Sequence, residues 1–107
     1  MPVDLHVHST ASDGSCSPAE IVEEAVARGL SAVAIADHDT VAGVAAGQQA
    51  AAGRLTFLPA VEISTHHGPY ELHLLGYMLD IAHAELLAEL AHIQAERLKR
   101  CQNTVAL

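Results

Sequence analysis

Over residues 3–8 apolar and polar positions alternate: Val3, Leu5 and Val7 are separated by Asp4, His6 and His8. A period of two predicts a strand with one buried face, and the other face carries a carboxylate and two imidazoles. Ile21, Val22, Ala25, Val26 and Leu30 then recur at helical spacing. Ser17-Pro18-Ala19-Glu20 supplies that helix with an N-cap, a first-turn proline and the glutamate of a capping box, and Gly29 supplies its stop. Residues 32–36 (AVAIA) are uninterruptedly apolar, as a parallel strand covered on both faces would be. Residues 41–53 predict a second helix, weakened by Gly43, Gly47 and Gly53. A third strand is predicted over residues 55–63, with Pro59 implying an edge or an irregular start, and a fourth over residues 70–77. From Asp80 the pattern is helical, with Leu87, Leu90, Ala91, Gln94, Leu98, Cys101 and Val105 tracing one largely apolar stripe.

Strands separated by helices imply an α/β fold with a parallel sheet, open or curled into a barrel. The chain stops at Thr104-Val105-Ala106-Leu107, inside the helical pattern and without a cap. A closed barrel of this type takes about 250 residues, so these 107 residues are expected to be the front part of a larger domain.

Composition narrows the partners. Five basic against thirteen acidic side chains leave a net charge of −8, which disfavours stable binding of long nucleic acid. Aromatic residues at 3% leave few platforms for stacking single strands. A substrate with one or a few phosphates stays compatible if bound cations reverse the local field. No basic-then-apolar leader opens the chain, and no apolar run nears the ~20 residues of a membrane span; a cytoplasmic protein without membrane contact is expected. Cys16 and Cys101 have neither metal-site nor disulfide-framework spacing.

In α/β folds functional groups collect at the carboxyl ends of the strands. His6 and His8 end the first strand on one face, roughly 6.6 Å apart, and Asp13 lies in the loop that follows. Asp37-His38-Asp39 follows the second strand, Glu62 stands near the end of the third, and His73 shares a face with Glu71 on the fourth. Each has an ordinary explanation alone: a solvent-facing His pair, an Asp-Gly turn, a helix cap at Asp37, Asp39 or Thr40, a hydrogen-bonded core histidine. Glu62 resists one, since an apolar strand rarely buries a carboxylate without a partner. Four strand ends in series favour a metal site. Imidazole with carboxylate suits zinc, manganese or iron, and the number of carboxylates suggests more than one ion. Such ions activate water and steady a phosphoryl group without a protein nucleophile. His66 and His67 fall in a Gly-Pro loop, and His83 and His92 on the acidic terminal helix. Arg97, Lys99 and Arg100 form the one basic cluster, a helix surface or a weaker phosphate-contacting patch at Arg97 and Arg100.

The series LHVHSTASDG (residues 5–14), SPAEIVEEAVARGL (17–30), IADHDT (35–40), PAVEIS (59–64) and HLLGYMLD (73–80) resembles the PHP (polymerase and histidinol phosphatase) family, over residues 3–80 and in order. It is most similar to the stand-alone phosphoesterases acting on nucleotide 3′,5′-bisphosphates, nucleoside monophosphates or RNA 5′ ends. The resemblance implies the N-terminal portion of a distorted (β/α)7 barrel over residues 1–80, and the start of a helical insertion over 81–107. It also implies two or three divalent ions, manganese first, with zinc, iron or magnesium as alternatives. His6 and His8 would bind one ion, with Glu62 bridging it to another; Asp13 and His38 would bind a second, and His73 would join Glu62 at a third. Asp37 would touch a ligand or the substrate without itself being a certain ligand. A further His and an Asp-x-His pair, which the family draws from later strands, lie beyond residue 107. Ala36 stands where a threonine is common and Ala60 where a glycine is common.

The function expected is metal-dependent hydrolysis of a small phosphorylated substrate, a nucleotide or a short oligonucleotide. The alternatives are an amidohydrolase-type metal hydrolase, which also begins with His-x-His, and a non-catalytic metal-binding fragment. The 107 residues alone are expected to load metal poorly and to show little activity.

Overall fold

A computed structural model describes residues 2–106, with side chains through residue 104. Val105, assigned above to the terminal stripe, and the chain end at Leu107 lie outside those described side chains. The elements run β1 (Val3–Val7), α1 (Pro18–Ala27), β2 (Ala32–Ile35), α2 (Val44–Ala51), β3 (Thr56–His67), β4 (Tyr70–Tyr77) and α3 (Ala84–Ala106). The four strands form one sheet in the order β1-β2-β3-β4.

Helix α1 forms as its sequence dictates. The Ser17 side chain accepts from the Glu20 amide, the Glu20 carboxylate accepts from the Ser17 amide, and Gly29 leaves the helix at φ 75°. Helix α2 is shorter than expected because it starts at Gly43, which offers no side-chain cap, and the chain turns away at Gly53 with φ 77°. Gly47 is required: a Cβ there would meet the Phe57 ring at 2.5 Å, so its absence lets α2 lie close on β3.

The parallel sheet holds for β1, β2 and β3 but not for β4, which pairs antiparallel with β3. No helix separates these last two strands. Gly68, at φ 60°, and Pro69 join them in a tight hairpin, as a glycine at the first central turn position allows. His66 and His67 therefore belong to the end of β3, not to a loop. Pro59 is not on an edge strand, since β3 is central. Its carbonyl accepts from the Met78 amide on the β4 side, just past the last ladder pair, Ala60 with Tyr77. A strand residue points its N–H and C=O to the same side, so the donor that proline lacks would have faced Met78 at the end of the β3–β4 ladder, and the pairing with β2 is untouched.

Two apolar clusters lie on the helix-covered face. Val33 and Ile35 pack with Ile21 and Ala25 of α1, and Val61 packs with Val41, Val44 and Leu90. Helix α3 faces this core through Leu86 and Leu90. The apolar stripe is thus rotated from the one expected: Leu87, Leu98 and Cys101 are exposed. It also starts later than Asp80, at a cap where His83 Nδ1 accepts from the Leu86 amide at 3.3 Å.

The opposite face is floored by small residues. Ala34, Ala36 and Ala60 are fully buried beside Leu58. The sheet curls over this floor until the Tyr77 hydroxyl of β4 donates to the Leu5 carbonyl of β1 at 2.7 Å. That curl brings both outer strands to one place. Among the described residues no helix is long and apolar enough to cross a membrane.

Candidate metal centre

The side chains that point off the concave face follow from strand alternation. Glu62 shares its face with Ala60, His73 lies opposite Ser64 in the β3–β4 register, and His38 bridges to Glu62 in parallel just beyond β2. His6 and His8 project from the end of β1.

Glu62 is the hub. Its Oε1 lies 2.5 Å from His6 Nε2 and 2.9 Å from His8 Nε2; its Oε2 lies 2.7 Å from His73 Nδ1 and 3.7 Å from His38 Nδ1. One carboxylate thus faces imidazoles from the ends of β1 and β2 and from the middle of β4. Asp13 stands beside it, with Oδ1 2.9 Å from His8 Nδ1 and Oδ2 3.2 Å from His38 Nε2. Gly14 makes this turn possible, because a Cβ there would come within 2.1 Å of the His8 carbonyl.

Three overlapping groups result: His6, His8 and Glu62; His8, Asp13 and His38; His38, Glu62 and His73. Within each, one donor atom per residue lies within 4.8 Å of the others. Two observations fit cations here. His38 Nδ1 is buried with no hydrogen-bond partner, a lone pair or N–H that costs free energy where it stands. The Nε2 atoms of His6 and His8 approach to 3.2 Å while both face the same Glu62 oxygen, a convergence of donor atoms on one point that a shared cation suits. The donor set, imidazole and carboxylate without thiolate, suits first-row divalent ions.

Electrostatics agree. Burial opposes ionisation of Glu62, but hydrogen bonds from His6 and His8 and the fields of His38 and His6 hold its carboxyl down at about 2. Asp13 is lowered in the same way, against burial, by His38 and His8. His73 is raised by its bond to Glu71, against burial, and further by Glu62. The pair Glu71 Oε1 and His73 Nε2 lie 3.2 Å apart, so His73 stands between two carboxylates.

The remaining candidates separate. Asp37 is 2% exposed and turns away from the cluster. Its Oδ1 accepts from the Ser9 amide at 2.6 Å and the Ser12 hydroxyl at 2.7 Å, and its Oδ2 from the Ser9 hydroxyl at 2.6 Å. Asp39, fully buried, is paired with Arg97. Arg97 lines a cleft of about 320 Å³ with Ser12, Asp13, His38 and Gln94. Arg100 lies elsewhere, 3.5 Å from His66 and over a neighbouring groove. Ser9 and Ser12 carried no functional signal in sequence, since short polar residues in loops are too common to single out, and Gln94 stood out only as a polar member of the α3 stripe.

The profile of the family described as PHP domain matches residues 4–103. A 3′,5′-nucleoside bisphosphate phosphatase from Chromobacterium violaceum is 40% identical over 101 residues, covering 94% of this chain and 35% of its own length. A 5′-3′ exoribonuclease from Haemophilus influenzae is 42% identical, over 91% of this chain and 36% of its own. The chain therefore spans about a third of the length of these relatives. A solved structure from Chromobacterium violaceum, described as an amidohydrolase with bound sulfate and no metal, superposes with a TM-score of 0.89 at 39% identity, over 94% of this chain and 36% of that one. Another, from Bifidobacterium adolescentis and assigned as a metal-dependent phosphoesterase, gives 0.87 at 35% identity, over 92% of this chain and 35% of that one.

Proposed function

The chain belongs to the PHP domain family, and from that membership we propose that the protein is a metal-dependent phosphoester hydrolase acting on nucleotides or short oligonucleotides. The observation that carries the proposal is Glu62, a buried carboxylate held ionised among His6, His8, His38 and His73.

His6, His8 and Glu62 would hold one divalent ion, Asp13 and His38 a second, and Glu62 with His73 a third; manganese is the first candidate, with zinc, iron or magnesium behind it. Bound there, such ions supply a water ionised near pH 7 and neutralise charge on the phosphoryl oxygens. The chain's own residues do the rest. Glu62, with a pKa near 2, stays anionic and can serve two ions through its two oxygens. Asp13 faces both His8 and His38 and orients their rings. Arg97 directs Nη2 to Asp39 and Ser64, so its remaining N–H groups are free to meet a substrate phosphate at the cleft. Arg100, outside that cleft, is given no role.

The finer architecture belongs to the same proposal: residues 1–80 as the first part of a distorted (β/α)7 barrel, and residues 81–107 as the start of a helical segment beside the site. The described curl of the sheet supports it. An amidohydrolase reading is favoured only by the description of one similar structure. The test compares substrates in a protein of the relatives' full length that contains this chain: loaded with manganese, it should release phosphate from a nucleoside 3′,5′-bisphosphate and leave cyclic amides intact. His6→Ala and Glu62→Gln should each lower turnover by at least about 100-fold, the upper range for disturbed metal sites. Wild-type turnover and metal content in both variants would refute the assignment.

A further inference from the structure

We propose that Asp37 and Asp39 are positioning residues, each fixing one wall of the cleft beside Asp13 and His38, while His38 between them alone faces the centre. This rests on the metal-centre reading above. The two carboxylates point in different directions from one tripeptide, and all four of their oxygens are used.

Asp37 serves the first wall. Its bonds to the Ser9 amide, the Ser9 hydroxyl and the Ser12 hydroxyl tie down both ends of the turn at residues 9–12. The same turn is closed by the Ser12 and Gly14 amides donating to the Ser9 carbonyl. Asp13 stands on it, and its carboxylate has no anchor of its own beyond His8, His38 and a long contact from Ser12 at 3.5 Å. Where Asp13 sits is therefore decided by what holds Ser9 and Ser12.

Asp39 serves the second wall. It adopts φ 54°, a left-handed conformation that Asp tolerates better than most residues, and this turns its side chain away from His38. Oδ1 accepts from the Ser64 amide at 2.7 Å, Oδ2 accepts from Arg97, and the Asp39 carbonyl accepts from Gln94 Nε2 at 2.6 Å. Gln94 and Arg97 are the α3 residues that line the cleft. Helix α3 is thus held against the site by a residue adjacent to a candidate ligand.

Amide hydrogen exchange and manganese titration on a full-length protein containing this chain, both independent of turnover, test the two walls separately. Asp37→Asn and the milder Ser12→Ala should speed exchange of residues 9–14 at least tenfold, leave α3 unchanged, and weaken manganese binding about tenfold, as loss of an outer hydrogen bond does. Ser12→Thr, which keeps the hydroxyl, should restore both. Gln94→Ala should speed exchange around residues 90–97, leave manganese affinity unchanged, and raise KM more than it lowers kcat. If Asp37→Asn does not fold, Ser12→Ala and its Thr rescue decide. Unchanged exchange and binding in Ser12→Ala, or equal loosening of both walls by either variant, would overturn the proposal. A full-length protein that passes these tests but releases no phosphate would refute the phosphoesterase reading alone.

Discussion

Glu62 and His73 set opposite limits on the pH stability of the metal-free protein. Glu62 is held at about 2 against an ordinary 4.5, chiefly against burial and by bonds from His6 and His8. A depressed carboxyl stabilises the fold fully above pH 4.5 and loses that contribution as pH falls toward 2. His73 is raised above 6.5, first by its bond to Glu71. A raised imidazole stabilises below pH 6.5 and loses that contribution as pH rises through its folded value. Chelator-treated protein should therefore melt highest between about pH 4.5 and 6.5. Melting curves across pH check this, and Glu62→Gln should flatten the acid limb. A flat wild-type profile from pH 3 to 8 would contradict the described hydrogen bonds.

The alternation in β1 and the helical spacing in α1 identify those elements because local rules decide them, although the face of β1 expected to be buried stands open at Val3 and Leu5, 50% and 38% exposed. The β3–β4 hairpin was partly legible: both strands and the Gly-Pro turn are in the sequence, but their antiparallel pairing and the length of β3 are not. A strand lengthens when a neighbour offers hydrogen bonds, and β4 extends β3 to His67. The rotated face of α3 has the same origin, since Leu86 and Leu90 meet Val61 only once the sheet curls. Tyr77 tests that curl. Tyr77→Phe removes only the donor to Leu5, so it should cost about 1 kcal/mol, the usual net worth of one hydrogen bond. Solvent protection of β1 should fall with it. Chemical denaturation and amide exchange measure the two effects.

Across the whole molecule, apolar surface is unevenly covered. Leu72 and Leu74, 45% and 57% exposed, stand on the outer face of β4 with Tyr70 nearby, and Val3 and Leu5 are open on β1. Adjacent exposed aliphatic residues favour association. The 107-residue chain should accordingly elute at a concentration-dependent size and bind an apolar dye, and Leu72→Lys with Leu74→Glu should reduce both. Size-exclusion chromatography with light scattering reads the outcome. Monomeric wild-type chain at high micromolar concentration would show that these residues are not adhesive.

Residue order was enough to mark the elements and the chemical types of the site, because caps, periodicity and the placing of His, Asp and Glu along or just after strands are local. It put His6, His8, Asp13, His38, Glu62 and His73 forward as one group without showing how they meet. That Glu62 is the hub, that His73 arrives on an antiparallel strand, and that Asp37 and Asp39 turn away to Ser9, Ser12, Ser64 and Arg97 follow from the folded chain. The direction of a side chain depends on the curl of a sheet whose alanine floor and Tyr77 span join residues far apart in sequence. No window along the chain contains that information.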